Sequence, residues 1–231
     1  MIKRIALAAV ASMALSVSAQ AQVLDFENIA SSYPSGNNTL VQGFYNGGTS
    51  SAGTSGTNYG IEFSSNALAI CLNTPGVNCS NTSRGGLGNP SSARGGLFFL
   101  TGSETYMNRN AGFMNGFSFF YSAANTGGSF SVWSGLNGTG DLLASLSLGT
   151  TPSTCGIEYT AGFCPFVAAG VNFAGVAKSV TFAGAANQIV FDDVTFGNSK
   201  PGVSVPEPAS AALLAAGMAG LVGVARRRRK A

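Results

Sequence analysis

The chain has 231 residues, of which only 9% are charged, and it contains no histidine. The lack of histidine excludes His-dependent catalytic triads and the usual zinc hydrolase sites. The net charge of +3 comes from the two ends of the chain, since residues 22–200 carry five basic and eight acidic residues and a net charge of −3. That central part lacks the basic surface that nucleic-acid binding requires, so no nucleic-acid partner is expected.

The first residues have the organisation of a secretory signal peptide. Lys3 and Arg4 form a basic n-region, residues 5–17 form an apolar h-region, and residues 19–21 (Ala-Gln-Ala) have the small-x-small form of a cleavage site. We expect signal peptidase to remove residues 1–21, so that the mature protein begins at Gln22. The alternative, a retained N-terminal anchor, would need a longer apolar segment.

The body of the chain, residues 22–197, has the texture of an all-β domain. Short apolar or alternating segments are separated by clusters of Gly, Ser, Asn and Thr, and almost no segment has a 3.6-residue apolar period. About ten short strands at this spacing predict a two-sheet, jelly-roll-like sandwich. The predicted segments are 23–29, 40–45, 59–63, 67–72, 96–101, 113–121, 129–134, 141–148, 171–173, 178–182 and 188–196.

The four cysteines form two close pairs along the sequence, Cys71 with Cys79 and Cys155 with Cys164. In an exported protein this spacing favours two local disulfides, although four cysteines allow three connectivities. A zinc site is the rival interpretation, but the chain has no Cys-x-x-Cys and no histidine to complete one.

The end of the chain has the pattern of a membrane segment. A linker is predicted at 198–205, and residues 206–230 contain Pro206-Glu207-Pro208, then seventeen uncharged residues, then Arg226, Arg227, Arg228, Arg229 and a lysine. The uncharged run is near the length that crosses a bilayer as a helix. The basic cluster is expected to stay in the cytoplasm, which places the body on the opposite side of the inner membrane.

This order of features resembles the PEP-CTERM sorting signal of bacterial exported proteins. The resemblance rests on Pro206, Glu207 and Pro208, supported by the apolar segment and by the arginines that follow it. It implies recognition by an exosortase, a membrane-embedded enzyme that would cut near the motif and pass the protein to the cell surface. A plain C-terminal anchor behind a proline-containing linker is the alternative.

The two ends of the body suggest a structural cation site. The opening Leu-Asp-Phe-Glu and the closing Phe-Asp-Asp-Val-Thr-Phe are similar to the first and last strands of MAM-type or carbohydrate-binding-module-type jelly rolls. That resemblance implies that these strands pair and that their acids hold a structural Ca²⁺, the candidates being Asp25, Glu27, Asp192 and Asp193. Oxygen ligands of this kind suit calcium. Solvated acids that blunt an exposed edge are the alternative.

Few residues indicate catalysis. No Gly-x-Ser-x-Gly, no phosphate-binding loop and no dinucleotide fingerprint follows a strand, so we expect no enzymatic activity. Two-carboxylate glycosidase chemistry would need a pair of acids such as Glu62 and Glu104, and nothing in their local sequence favours it. Trp133 is a candidate for sugar binding, in a platform with Tyr45, Tyr59, Tyr106 and Tyr121, although a lone Trp in an alternating strand more often fills a core.

The sequence therefore predicts an exported, non-enzymatic protein of the surface or of the extracellular polysaccharide or biofilm matrix in a Gram-negative bacterium. The alternative is a module that binds that polysaccharide. Ice binding ranks last, because the sequence lacks a regular threonine ladder.

Overall fold

Ten β-strands make up the regular structure of the described residues, which in this computed structural model are 21–30, 39–72, 95–151 and 166–202. All of these residues belong to one unit that spans Gln20–Pro206. The strands are β1 (Gln22–Leu24), β2 (Thr39–Leu40), β3 (Ile61–Phe63), β4 (Leu68–Cys71), β5 (Gly95–Phe98), β6 (Glu104–Ala123), β7 (Gly128–Trp133), β8 (Leu142–Leu148), β9 (Val167–Gly184) and β10 (Ile189–Phe196).

The all-β prediction is confirmed, since the described ranges contain no helix. Accordingly, none of them contains a helix long and apolar enough to cross a membrane. The predicted transmembrane helix and almost all of the predicted signal peptide lie outside these ranges.

The strands form one continuous hydrogen-bonded network in the order β2-β4-β5-β10-β6-β9-β7-β8, with β1 on β10 and β3 on β6. Every pairing is antiparallel. The network is continuous because β6 is 20 residues long and has different neighbours along its length. Its first part pairs with β3 and its last part with β10, while β9 follows it on the other side. The two-sheet jelly roll stays a prediction.

Two of the observed strands are longer than the predicted ones. β9 joins the segments predicted at 171–173 and 178–182, and β6 begins at Glu104, well before the predicted residue 113. The β6–β9 ladder has register shifts between Asn108 and Asn115, and Gly112 and Gly175 have φ values of +72° and +90°. A bulge adds a residue to one strand and so interrupts the alternation of apolar residues along it. The sequence pattern therefore indicates separate short strands where the structure has one continuous strand.

The core is built largely from phenylalanine. Nine phenylalanines are among the largest fully buried side chains, and many of their rings contact each other edge to face or at a tilt. A smaller cluster around Phe98 and Val190 packs on its own, with Ile70, Leu72 and Phe166. The leucine face of β8 is only partly buried, since Leu142 and Leu146 are 53% and 38% exposed.

The first strand is shorter than predicted, but residues 24–27 still alternate between the core and the solvent. β1 ends at Leu24, because Phe26 and Asn28 have φ values of +53° and +60°. Leu24 and Phe26 are nevertheless fully buried, and Asp25 is exposed. β1 pairs with β10, with Leu24 opposite Val194, so the predicted pairing of the terminal strands is confirmed.

The first residues of the predicted linker lie on the body. The Ser118 hydroxyl donates to the Asn198 carbonyl at 2.9 Å, and the Gly202 amide donates to the Thr195 hydroxyl at 3.1 Å. Gly116 and Gly170 have no side chain at the points where this segment crosses β6 and β9. The body therefore continues past the predicted boundary at residue 197.

Cys71, at the end of β4, is buried and disulfide-bonded. Cys79, Cys155 and Cys164 lie outside the described residues. The pairing of Cys71 with Cys79 and of Cys155 with Cys164 therefore stays a prediction.

Candidate functional site

A polar cleft of about 380 Å³ opens beside β3 and the first part of β6. Exposed or half-buried asparagine, serine and glutamate side chains form most of its wall, and Phe63 and Leu136 contribute its apolar part. The lining residues are Asn46, Gly60, Glu62, Phe63, Ser64, Ser65, Asn108, Asn110, Leu136 and Asn137. Its volume is within the range of small-ligand sites in proteins.

Antiparallel pairing brings Glu62 and Asn108 together. They are opposite each other in the β3–β6 ladder, so their side chains lie on one face of the sheet. A third segment joins them because the Tyr45 carbonyl accepts hydrogen bonds from the amides of Tyr59 and Ile61, at 2.9 and 3.1 Å. This contact places Asn46 beside Gly60 at the rim of the cleft.

The opposite wall is the turn between β7 and β8. Asn137 and Gly138 both have positive φ, +53° and +68°, as an Asn-Gly turn requires. Asn137 and Asn108 are joined by two hydrogen bonds: the Asn108 Nδ2 donates to the Asn137 Oδ1 at 2.7 Å, and the Asn137 amide donates to the Asn108 Oδ1 at 2.8 Å.

The Ser179 hydroxyl holds the same turn against β9. It accepts a hydrogen bond from the Gly138 amide at 3.0 Å and donates one to the Gly135 carbonyl at 2.6 Å. Two strands therefore fix the position of the turn, so the cleft is formed before any ligand arrives.

Several polar groups in the cleft are available to a ligand. Within the described part of the chain, no hydrogen bond involves the carboxylate of Glu62 or the side-chain amides of Asn46 and Asn110. Such amides can both donate and accept, and the carboxylate can accept, which is the chemistry that recognises hydroxyl groups.

The charge of the cleft is negative. Among the described residues that line the cleft, only Glu62 is charged. The nearby Arg109 is directed elsewhere: its Nη1 donates to the Gly112 carbonyl at 2.9 Å and its guanidinium lies 4.8 Å from the ring centroid of Phe196. Burial lowers the pKa of Arg109.

The predicted aromatic platform is wrong as a group. Tyr45 and Tyr121 are core residues, only 3% and 8% exposed, and a buried ring offers no face to a sugar. Trp133 is half-buried at the end of β7, where its Nε1 donates to the Thr181 hydroxyl at 3.3 Å. It does not line the cleft, and its pairing partner Ser179 lies between it and Asn108.

Tyr106 faces the same side of the sheet as Trp133. Its hydroxyl donates to the Glu104 carboxylate, and this hydrogen bond is the main cause that raises the pKa of Tyr106. The sugar-binding role of Trp133 stays a prediction.

The four predicted calcium ligands are near the β1–β10 pair but differ in their surroundings. Asp25 is exposed and its Oδ1 accepts a hydrogen bond from the Glu27 amide at 3.1 Å, whereas Asp192 and Asp193 are fully buried. The Glu27 carboxylate accepts a hydrogen bond from the Gly95 amide at 2.8 Å.

These acids do not by themselves form a metal site. Among the residues that the structure describes, no three or more histidine, cysteine or acidic side chains are grouped so that they could hold a metal ion. Asp25 and Asp192 both act on the buried hydroxyl of Tyr45, whose pKa is raised mainly by burial and further by these two charges. Calcium binding by the four acids stays a prediction.

The cleft was not predicted from the sequence. Glu62, Asn108 and Asn137 come from three separate segments, and only the pairing of β3 with β6 and the return of the turn bring them together. The Asn-Gly pair at 137–138 was the one local signal, since it marks a tight turn.

The predicted sorting residues, Pro206, Glu207, Pro208, Arg226, Arg227, Arg228 and Arg229, lie outside the described residues. The family model of the PEP-CTERM protein-sorting motif matches residues 204–230. The chain carries a PEP-CTERM sorting motif. This motif indicates export and a membrane-associated precursor that an exosortase processes, with the surface as the destination.

No curated protein matches the chain. Among solved structures, it is similar to the K2 cleaved adhesin domain of Lys-gingipain, with a TM-score of 0.41 and 10% identity over 76% of this chain and 98% of that one. It is also similar to a family 6 carbohydrate-binding module, with a TM-score of 0.32 and 18% identity over 57% of this chain and 93% of the module.

A third similar structure is the C-terminal family 6 carbohydrate-binding module of LamC, a marine laminarinase from Zobellia galactanivorans. Its TM-score is 0.29, with 15% identity over 58% of this chain and all of that one.

Proposed function

We propose that this chain is an exported, non-enzymatic protein of the bacterial surface or of the extracellular polysaccharide matrix. The observation that carries the proposal is the PEP-CTERM motif at residues 204–230, which follows a folded β body. In this proposal signal peptidase removes residues 1–21, the C-terminal apolar segment holds the precursor in the inner membrane with the body outside the cytoplasm, and an exosortase then processes the tail.

Substitution of the motif tests the sorting step. In the native organism, the variant with Pro206, Glu207 and Pro208 all changed to Ala should accumulate as precursor in the membrane fraction, while the wild-type protein should reach the surface or the medium. Lys200→Ala, upstream of the motif, is the matched control and should behave as wild type. Equal release of the motif variant would reject the exosortase route.

A second candidate function is the recognition of an extracellular polysaccharide. The polar cleft favours it, because exposed amide and carboxylate groups without partners in the described part of the chain match the hydroxyl groups of sugars. A pull-down of the full-length protein on a panel of immobilised polysaccharides separates the two functions. A purely structural protein should be retained by none of them.

We also propose that acids at the ends of β1 and β10 bind a structural calcium ion. Asp25 follows Leu24, whose partner Val194 follows Asp193, so the ends of β1 and β10 bring acids toward one another. Calcium bound there should raise the melting temperature of the wild-type protein and leave that of Asp25→Asn unchanged. Calorimetry with and without Ca²⁺ measures the melting temperatures of the two proteins. If the melting temperature of the wild-type protein is the same with and without Ca²⁺, the proposal fails.

A further inference from the structure

The charge of the polar cleft selects among glycans. We propose that the cleft binds an amino-sugar unit of a polysaccharide, with the ammonium group on the Glu62 carboxylate and the ring hydroxyls on the surrounding amides. This inference rests on glycan binding as proposed above and adds the site and the chemical class of the ligand.

The negative charge of the Glu62 carboxylate favours a cationic group on the ligand. It is exposed in the cleft, and no described residue of the lining is basic. The guanidinium of Arg109 bonds to the Gly112 carbonyl and lies over Phe196, and so does not neutralise Glu62. A ligand ammonium at hydrogen-bond distance would be attracted, whereas the carboxylate of a uronic acid at the same place would be repelled.

The asparagine side chains of the cleft can form hydrogen bonds with the ring hydroxyls of a sugar. Asn46 and Asn110 stand at the rim with exposed side chains, and each offers one acceptor and two donor hydrogens. The side chain of Asn108 forms two hydrogen bonds with Asn137. Its role is therefore to hold the β7–β8 turn, the opposite wall of the cleft, in place. A wall that is fixed in advance lowers the ordering cost of binding.

Isothermal titration of the full-length protein in detergent tests the ligand class. Three tetrasaccharides of matched length serve as probes: a glucosamine oligomer, its N-acetylated neutral form and an oligogalacturonate. We expect the wild-type protein to bind the glucosamine oligomer about two- to fivefold more tightly than the neutral form, as for a solvent-exposed ion pair, and to bind the acidic oligomer least. The preference should weaken in high salt.

Two matched pairs of variants locate the site. Glu62→Gln should abolish the preference for the amine, while Asp141→Asn removes the same charge from an exposed position outside the cleft and should keep the preference. Asn110→Ala should weaken the binding of both the amine and the neutral oligomer by about fivefold. Asn172→Ala, an exposed asparagine on β9, should change neither.

The outcomes distinguish this inference from the function on which it rests. If the glucosamine oligomer binds equally well to the wild-type protein and to Glu62→Gln, or if the acidic oligomer binds best, the cleft assignment fails while glycan binding stands. If none of the three oligomers binds and no polysaccharide of the panel retains the protein, both fail together.

Discussion

At the scale of single residues, the fold depends on aromatic side chains that reach each other from distant strands. Phe119 on β6 is fully buried, and its ring lies 4.8 to 6.2 Å, centroid to centroid, from five other aromatic rings. Those rings belong to β6, β7, β9 and β10, so one side chain joins four strands. Leu142 on β8 is of similar hydrophobicity but is 53% exposed.

Phe119→Ala should therefore lower the free energy of unfolding by about 3–5 kcal/mol, because it removes buried apolar surface and leaves a cavity. Leu142→Ala, the control, should change it by less than about 0.5 kcal/mol, as surface substitutions do. Urea unfolding followed by tryptophan fluorescence measures both values. Equal losses in the two variants would mean that Phe119 is not a core residue.

Tyr45 gives the fold a dependence on alkaline pH. Its hydroxyl accepts a hydrogen bond from the Phe26 amide at 2.9 Å, and burial raises its pKa well above the ordinary value of 10.0. Because the pKa of Tyr45 is higher in the folded protein than in the unfolded chain, the neutral hydroxyl contributes to the stability of the fold. This contribution is fully present below about pH 10 and is lost as the pH rises through the folded pKa.

We therefore expect the stability of the wild-type protein to fall above about pH 10, and the fall to be smaller in Tyr45→Phe. Thermal unfolding of both proteins at a series of alkaline pH values measures the difference in slope. Tyr121, whose pKa burial also raises, should leave some slope in the variant. Identical slopes would show that Tyr45 ionises in the folded protein as readily as in the unfolded chain.

At the scale of elements, glycines let the segment after β10 lie across the sheet. A Cβ atom on Gly170 would be 2.2 Å from the Ser199 carbonyl oxygen, and one on Gly116 would be 2.6 Å from the Ser199 amide nitrogen. Both contacts are far shorter than packed atoms allow, so a side chain at either position must push the segment away.

Gly170→Ala should accordingly destabilise the protein by about 1–3 kcal/mol and make the bonds after residue 197 more sensitive to protease. Gly149→Ala is the matched control, since a Cβ atom there would have no neighbour within 4 Å and Gly149 has no positive φ. Thermal unfolding and limited proteolysis of the two variants make the comparison. Unchanged stability in Gly170→Ala would contradict the contact with Ser199.

The sequence predicted strands where apolar residues alternate, as in β7, or form a continuous run, as in β5 and β10, and missed the first part of β6, where they do neither. β7 was predicted to within one residue at each end because the apolar Phe130 and Val132 alternate with half-buried positions. The first part of β6 was missed because its alternating buried residues are Thr105 and Met107, beside a polar run. Periodicity cannot reveal a strand whose inner face is partly polar.

At the scale of the whole molecule, the strand topology determines which residues lie together in the cleft. The pairing of β1 with β10 was predicted from the two ends of the body, and the structure confirms it. The cleft was not predicted, because the polar residues that line it are far apart in sequence and look like ordinary loop residues. The sorting motif was predicted from the sequence because it is a contiguous segment whose order of parts is itself the signal.

Delivery of the protein to the surface depends on the processing of that tail. Mass spectrometry of the protein recovered from the medium and from the membrane fraction gives the C-terminal residue in each. We predict a surface or secreted form whose last peptide ends near Glu207, and a membrane-bound precursor that retains the arginines at 226–229. An intact arginine-rich end in every fraction would contradict exosortase processing and would leave a plain membrane anchor.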